Sequence, residues 1–331
     1  MTPAQALARH PAIAASEFET DLLEGLARSP RCIAPKYFYD ARGSALFDRI
    51  CELPEYYPTR TELAILDSHA PEMATLIGPN ADLVEFGAGS LTKVRFLIDA
   101  LDDQDARPRY VPIDISGQHL EAAAGKLRQR YAGLDVRPVV ADYTQPFNLP
   151  QPLPGSRRVG FFPGSTLGNF MPGEALRFLE QAARLLRGGS LLIGVDLIKD
   201  PARLHTAYND SQGITAQFNL NLLQRANDEL GADFDPEAFA HHAPYNPVLR
   251  RIEMHLISRK PQTVTVSGQS FTFAEGETLH TENSHKFTVE GFRMLARRAG
   301  FRPGPVWTDR EQLFSLHWLH APAALQQAEL A

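Results

Sequence analysis

Through the middle of the chain, short apolar runs alternate with stretches whose apolar residues recur every three or four positions. Residues 82–86 form one such run and end in Gly87-Ala88-Gly89, with helical spacing over residues 90–101. Residues 110–114 read as a second strand followed by a helix over 116–131, and residues 134–140 as a third strand. Residues 159–162 read as a fourth, with a helix over 172–186 that Gly188-Gly189 ends, and residues 191–197 as a fifth. Strands alternating with helical periods predict a parallel sheet covered on both faces. The right-handedness of such crossovers narrows this to a doubly wound α/β sheet.

The pattern changes after Asp200. Helical segments over 201–208 and 214–230 give way to β-rich stretches at 249–258, 263–266 and 278–284, separated by turn signals such as Ser267-Gly268 and Glu275-Gly276. This predicts an α+β insert rather than another βαβ unit. Helical spacing returns over 288–299, and residues 302–307 and 313–318 read as late strands able to rejoin the sheet. Two domains are therefore expected, both discontinuous. Residues 61–197 with 287–321 carry the doubly wound sheet, and residues 15–60 with 198–286 form the second unit.

Composition removes several function classes. The 331 residues are 44% hydrophobic and 22% charged, enough to build an ordinary core. No apolar run approaches the roughly 20 residues that span a bilayer, and residues 1–22 lack the apolar centre of a signal peptide. Two cysteines, Cys32 and Cys51, make a disulfide framework an unlikely design and point to a reducing cytoplasm. A net charge of −6 with no Lys/Arg stripe argues against nucleic acid. His241-His242 have no CxxC or HExxH companion, so they read as a polar loop pair and no metal is expected.

Candidate chemistry gathers at the carboxyl ends of the first three strands, where open α/β sheets bind ligands. Glu85-Phe86-Gly87-Ala88-Gly89 makes a strand-to-helix turn at which the backbone can approach a ligand. The following Ser90-Leu91-Thr92-Lys93 lacks the third glycine of the dinucleotide pattern, which counts against NAD. Asp114 ends the second strand, suited to ribose hydroxyls. Asp142 follows the third and is trailed by Tyr143, an acceptor for an adenine amino group beside an aromatic face. Each acid alone also fits a helix cap or a solvated turn. Together they favour an adenosine-type cofactor.

Longer stretches resemble a known family. Lys36-Tyr37-Phe38-Tyr39-Asp40-Ala41-Arg42-Gly43-Ser44, then Leu46-Phe47-Asp48, then the segment from Leu53 through Tyr56-Tyr57 to Arg60, resemble the N-terminal signature of histidine-specific Nα-methyltransferases. These enzymes make trimethylhistidine for ergothioneine synthesis. The turn from Phe162 through Gly164 and Gly168-Asn169 to Phe170, the stretch from Ala207-Tyr208 to Thr215, and the stretch from Leu279 through Glu282 and Ser284 to Phe287 are similar to further motifs of that family, in family order. The likeness covers residues 15–321, nearly the whole chain.

The resemblance implies a Rossmann-like class I methyltransferase domain with a discontinuous α+β substrate-binding domain, and S-adenosylmethionine as cofactor. It implies cofactor contacts from Gly87, Lys93, Asp114, Asp142 and Tyr143, with Phe47 and Gly164 nearby. It implies that Tyr56, Asn169, Tyr208, Glu282 and Ser284 hold the amino acid and that Tyr39 lies near the cofactor; as a positioned hydroxyl, Tyr39 is the catalytic candidate expected to orient the amine and relay protons, directly or through water. Tyr143 departs from the family pattern, where phenylalanine is common, but keeps the aromatic face. No iron-binding oxygenase segment accompanies these motifs, so sulfur insertion is expected of another protein. The expected protein is a cytoplasmic monomer acting on free histidine, with no nucleic-acid or membrane partner.

Physical reading of the same residues is compatible with this and leaves alternatives open. Glu282 and Ser284, two apart on a strand, share one face and match the donor and acceptor nitrogens of an imidazole. They would also suit a solvated hairpin end. Asn169 and Tyr208 are neutral donors able to hold an α-carboxylate without a buried cation. The tyrosines Tyr37, Tyr39, Tyr56 and Tyr57 fit either interdomain packing or a sulfonium-tolerant wall. Three competing functions stand beside the first: the same methylation of another amino acid such as tryptophan, a nicotinamide-dependent oxidoreductase, and a non-catalytic cofactor sensor.

Overall fold

A computed structural model describes residues 15–106 and 108–323; the start of the N-terminal stretch read above for a signal peptide lies outside them. An eight-stranded sheet runs in the spatial order Arg302–Thr308, Phe314–His320, Ser190–Asp196, Arg157–Phe162, Ala81–Phe86, Arg109–Asp114, Asp135–Val136, with Val139–Val140 also on Arg109–Asp114. The six strands from Ser190–Asp196 to Asp135–Val136 and Val139–Val140 pair in parallel, and Phe314–His320 is antiparallel to both its neighbours. This is the α/β sheet expected, and the late strands do rejoin it. The strand order reverses between Ala81–Phe86 and Arg157–Phe162, which opens a crevice at their carboxyl ends.

The inner strands are buried on both sides, and their side chains alternate between two cores. Leu83, Tyr110, Phe161, Leu192 and Leu316 join one cluster with the helices Tyr57–Ile77, Val94–Asp102 and Gly117–Arg130. Val84, Val111, Phe162, Ile193 and Leu319 join the other with Pro172–Leu185 and Val289–Arg298. Period-two alternation in an apolar strand gives this double burial directly.

A third core belongs to the rest of the chain. Phe18, Tyr37, Phe38, Leu46, Tyr56 and Tyr57 pack with Leu204, Phe218, Leu256, Phe273 and Leu279. Its sheet places Thr278–His285 between Arg31–Cys32, parallel to it, and Arg251–Ser258, antiparallel to it, with Phe239–His242 beyond. The N-terminal segment thus supplies both a strand and the helices Ala15–Ala27 and Ala41–Glu52 to the later insert.

Several elements differ from the sequence reading. The helix expected from residue 90 starts at Val94, because residues 90–93 form turns and Leu91 sits at φ 58°. The third strand is split at Arg137-Pro138, since proline has no N–H for the ladder, yet both halves keep the same register on Arg109–Asp114. His241-His242 lie on the strand Phe239–His242, not in a loop. There His241 Nε2 meets the Tyr208 carbonyl at 2.9 Å and Nδ1 the Asn219 amide at 2.9 Å. The helix Tyr57–Ile77 is 21 residues long and carries Pro71 inside it, the residue that argues against a helix by sequence. It runs unbroken through positions 60 and 61, so the two cores are joined there by a helix.

Candidate functional site

One cleft lies where the third core meets the carboxyl edge of the sheet. Tyr39, Phe47 and Tyr56 line it from the N-terminal segment, Gly164 and Asn169 from the turn after Arg157–Phe162, and Tyr208, Glu282 and Ser284 from the insert. Eight of the residues singled out by sequence therefore share a single cavity. Thr215, Phe218, Met254 and Asp196 also line it and went unnoticed in the sequence. All four sit in segments already read as helix or strand, where nothing in the spacing marks them as ligand-binding.

Aromatic rings form one wall. Phe47 stands edge-on to Tyr39 at 5.7 Å and to Tyr56 at 6.4 Å between centroids, and Tyr56 stands edge-on to Tyr208 at 6.0 Å. Burial, with Glu282 adding to it, holds the Tyr39 phenol well above its ordinary pKa. Tyr39 is therefore a neutral hydroxyl near neutral pH, a hydrogen-bonding group rather than an ionised base.

The polar residues meet in two pairs. Asn169 Nδ2 donates to Glu282 Oε2 at 3.3 Å, and Tyr208 Oη lies 2.7 Å from Ser284 Oγ. A buried cation, absent from the sequence reading, backs the second pair. Lys286 Nζ donates to Ser284 Oγ at 2.7 Å and to Tyr208 Oη at 3.1 Å, and pairs with Asp196 Oδ2 at 2.8 Å. Asp196 also binds Lys199 and accepts from the Tyr57 hydroxyl at 2.6 Å. Neutral donors alone thus do not describe this wall.

Glu282 is buried, and burial pushes its carboxyl up to about 8 while Lys286 pulls the other way. A carboxyl raised in the folded state gives stability that is complete below its unfolded value, 4.5, and is lost as pH rises through about 8. Glu282→Gln removes that titration. Thermal unfolding of parent and variant should show the parent losing ground across this window, by up to a few kcal/mol at about 1.4 kcal/mol per pKa unit. A difference that stays constant from pH 4.5 to 9 would show that Glu282 titrates normally.

The cofactor candidates lie beside this cleft. Asp114 Oδ2 accepts from the Gly89 amide at 3.0 Å and Oδ1 from Ser116 at 2.9 Å. It fixes the glycine turn, and each oxygen keeps a lone pair for a further donor. Asp142 Oδ1 accepts from the Thr144 amide at 2.8 Å, while its buried Oδ2 makes no hydrogen bond and faces Lys36 Nζ at 3.5 Å. Gly87 has φ 67°, and a Cβ there would come within 3.4 Å of the Tyr143 ring. Above Gly89 a Cβ would meet nothing within 4 Å. A carboxylate oxygen with room for a donor, an aromatic ring and an open glycine turn fit an adenosine moiety.

Lys93 and Gly164 are tied together by a residue the sequence reading missed. Glu62, on Tyr57–Ile77 and fully buried, pairs with Lys93 Nζ at 2.7 Å. Both its oxygens accept from the Gly164 amide, at 3.0 and 2.9 Å. Burial lowers the Lys93 pKa, but Glu62 outweighs it and the net shift is upward. Gly194 makes room for this carboxylate, since a Cβ there would fall 2.3 Å from Glu62 Oε1. Helical spacing gave a signal: Pro58, Glu62, Ile65 and Leu66 share one face.

Comparison with known proteins adds the following. A family model described as histidine-specific methyltransferase, SAM-dependent, matches residues 18–321. The chain is 42% identical over 299 residues to a histidine N-alpha-methyltransferase of Mycobacterium tuberculosis, covering 89% of this chain and 92% of that protein. It is 41% identical over 306 residues to a histidine N-alpha-methyltransferase of Mycolicibacterium smegmatis, covering 92% and 94%. It is 30% identical over 308 residues to ergothioneine biosynthesis protein 1 of Neurospora crassa, covering 88% of this chain and 33% of that protein.

Proposed function

Because this chain belongs to the family of histidine-specific, S-adenosylmethionine-dependent methyltransferases, we propose that it methylates the α-amino nitrogen of free L-histidine three times, giving trimethylhistidine (hercynine) for ergothioneine synthesis. The observation that carries this reading is the single cleft that gathers Tyr39, Tyr56, Asn169, Tyr208, Glu282 and Ser284 from three separate parts of the chain. Family membership displaces the nicotinamide alternative.

S-adenosylmethionine, when bound, supplies an electrophilic methyl group on a sulfonium. Asp114, Asp142, Gly87 and Tyr143 would hold its adenosine end, with Lys93, Gly164 and Phe47 toward the cleft. Residues 61–197 with 287–321 serve the cofactor, and residues 15–60 with 198–286 the amino acid. Within the cleft, Glu282 and Ser284 read the imidazole, Asn169 and Tyr208 hold the α-carboxylate, and Tyr56 closes the aromatic wall. Tyr39, kept as a phenol, accepts an N–H of the neutral amine to aim its lone pair, and passes a proton on as it takes one up. Proximity and alignment in a closed site supply most of the rate.

The same reading takes the enzyme as a cytoplasmic monomer. One chain's own elements complete the cleft, Cys32 and Cys51 are both free thiols, and no described helix is long and apolar enough to cross a membrane. Mass spectrometry after incubation with S-adenosylmethionine and the twenty amino acids tests the activity. Histidine should gain up to three methyl groups while the others stay unchanged. A methylated product from another amino acid, or none, would overturn the assignment.

A further inference from the structure

We propose that Lys286 is a positioning residue: it engages the Tyr208–Ser284 pair so that Tyr208 keeps a donor for the carboxylate of the amino-acid substrate while Ser284 keeps a lone pair for an N–H of its imidazole. The inference rests on the reading of the cleft as a histidine site and adds the origin of its preference for a carboxylate. An ammonium has three donors, and those of Lys286 go to Asp196, Tyr208 and Ser284. Both hydroxyls therefore accept from the lysine. One of their two protons, that of Ser284, is spent between them across 2.7 Å. The Tyr208 proton is left for the cavity, so Tyr208 offers a donor and calls for an acceptor on the ligand, while Ser284 keeps a lone pair.

Lys286 is fully buried, with no side-chain exposure. Its ion-pair partner among the described residues is Asp196, which is shared with Lys199 and the Tyr57 hydroxyl. Asp309 offsets part of the Lys199 charge. Glu282, its carboxyl raised by burial, gives little compensating charge at neutral pH. The wall behind Tyr208 and Ser284 is thus under-compensated on its positive side. Buried charges demand a partner, and the anionic group of a free amino acid is its carboxylate. Imidazole nitrogens also accept hydrogen bonds, but they bring no negative charge.

The test compares histidine with histamine, which lacks only the carboxylate, by calorimetric titration into enzyme saturated with S-adenosylhomocysteine. The parent should prefer histidine by roughly a hundredfold or more, and Lys286→Met should cut that ratio by roughly tenfold or more. Histidine binding should weaken while histamine binding and S-adenosylhomocysteine affinity change little. Lys286→Gln, which keeps two N–H donors without the charge, is the second variant should Lys286→Met fold poorly, and its ratio should fall too. Equal losses for histidine and histamine, an unchanged ratio, or loss of S-adenosylhomocysteine binding in both variants would make Lys286 a fold residue and overturn the proposal. A parent that binds histidine no better than other amino acids would instead sink the histidine reading itself.

Discussion

Glu62→Ala is expected to lower the stability of the protein by about 3 kcal/mol and its affinity for S-adenosylmethionine by roughly tenfold. Glu62 has no exposure and holds two partners at once, the Lys93 ammonium and the Gly164 amide. Truncation leaves a partly buried cation without its counter-charge and a backbone donor without an acceptor. Breaking a buried pair from one side costs about 3–5 kcal/mol. Lys93 keeps one-fifth of its side chain exposed and can lean toward solvent, which sets the lower end. The turn after Arg157–Phe162 should shift with it, because Ser165 beside Gly164 sits at φ 57°, a strained setting for a residue with a side chain. Glu62→Gln retains an acceptor for Gly164 and should recover part of the loss. Thermal unfolding and calorimetry on the three proteins decide. If Glu62→Ala melts with the parent and binds the cofactor as tightly, the Glu62–Lys93–Gly164 clamp contributes nothing.

That clamp also shows where sequence reading reached and where it stopped. The sheet was readable because its inner strands are apolar runs buried on both faces and its helices have one apolar side. The glycine turn, Asp114 and Asp142 were readable because they occupy strand ends, where ligands bind. The long motifs from Lys36 to Arg60 and around Glu282 pointed to the amino-acid side only through their resemblance to a family. Glu62, Asp196 and Lys286 were not found, for a shared reason. A charged residue in a sequence reads as solvent-facing unless its partner is known, and these partners lie 31, 90 or 102 positions away. Asp196 left one trace, a lone acid closing the apolar strand Ser190–Asp196. The helix Tyr57–Ile77, which carries Pro71 inside it, had no place in the sequence reading; its residues share one core with Ile98 and Trp318.

Selectivity for histidine should fall most sharply with Glu282→Ala. The side chain is buried at the cleft, held by Asn169 at 3.3 Å, with its carboxyl raised to about 8 by burial. At neutral pH it can donate a proton to an imidazole nitrogen or, once that proton has moved, face an imidazolium as a carboxylate. Either arrangement is a strong hydrogen bond in a dry site, on the order of 1.5–3 kcal/mol. Its loss should lower kcat/KM for histidine by roughly tenfold to a hundredfold. Tryptophan offers one ring donor and no acceptor, so its carboxyl partner is half-used in the parent. Truncation also opens space beside Met254 and Phe218, which line the same cleft. Tryptophan should therefore lose much less, or gain. Cofactor affinity should stay near the parent value, since Asp114 and Asp142 belong to the sheet edge. Specificity constants for both amino acids, measured on the same preparations, give the answer. A common fall for histidine and tryptophan would mean that Glu282 shapes the cleft without reading the ring, and the choice of substrate would have to lie with Tyr56, Thr215 or Ser284 instead.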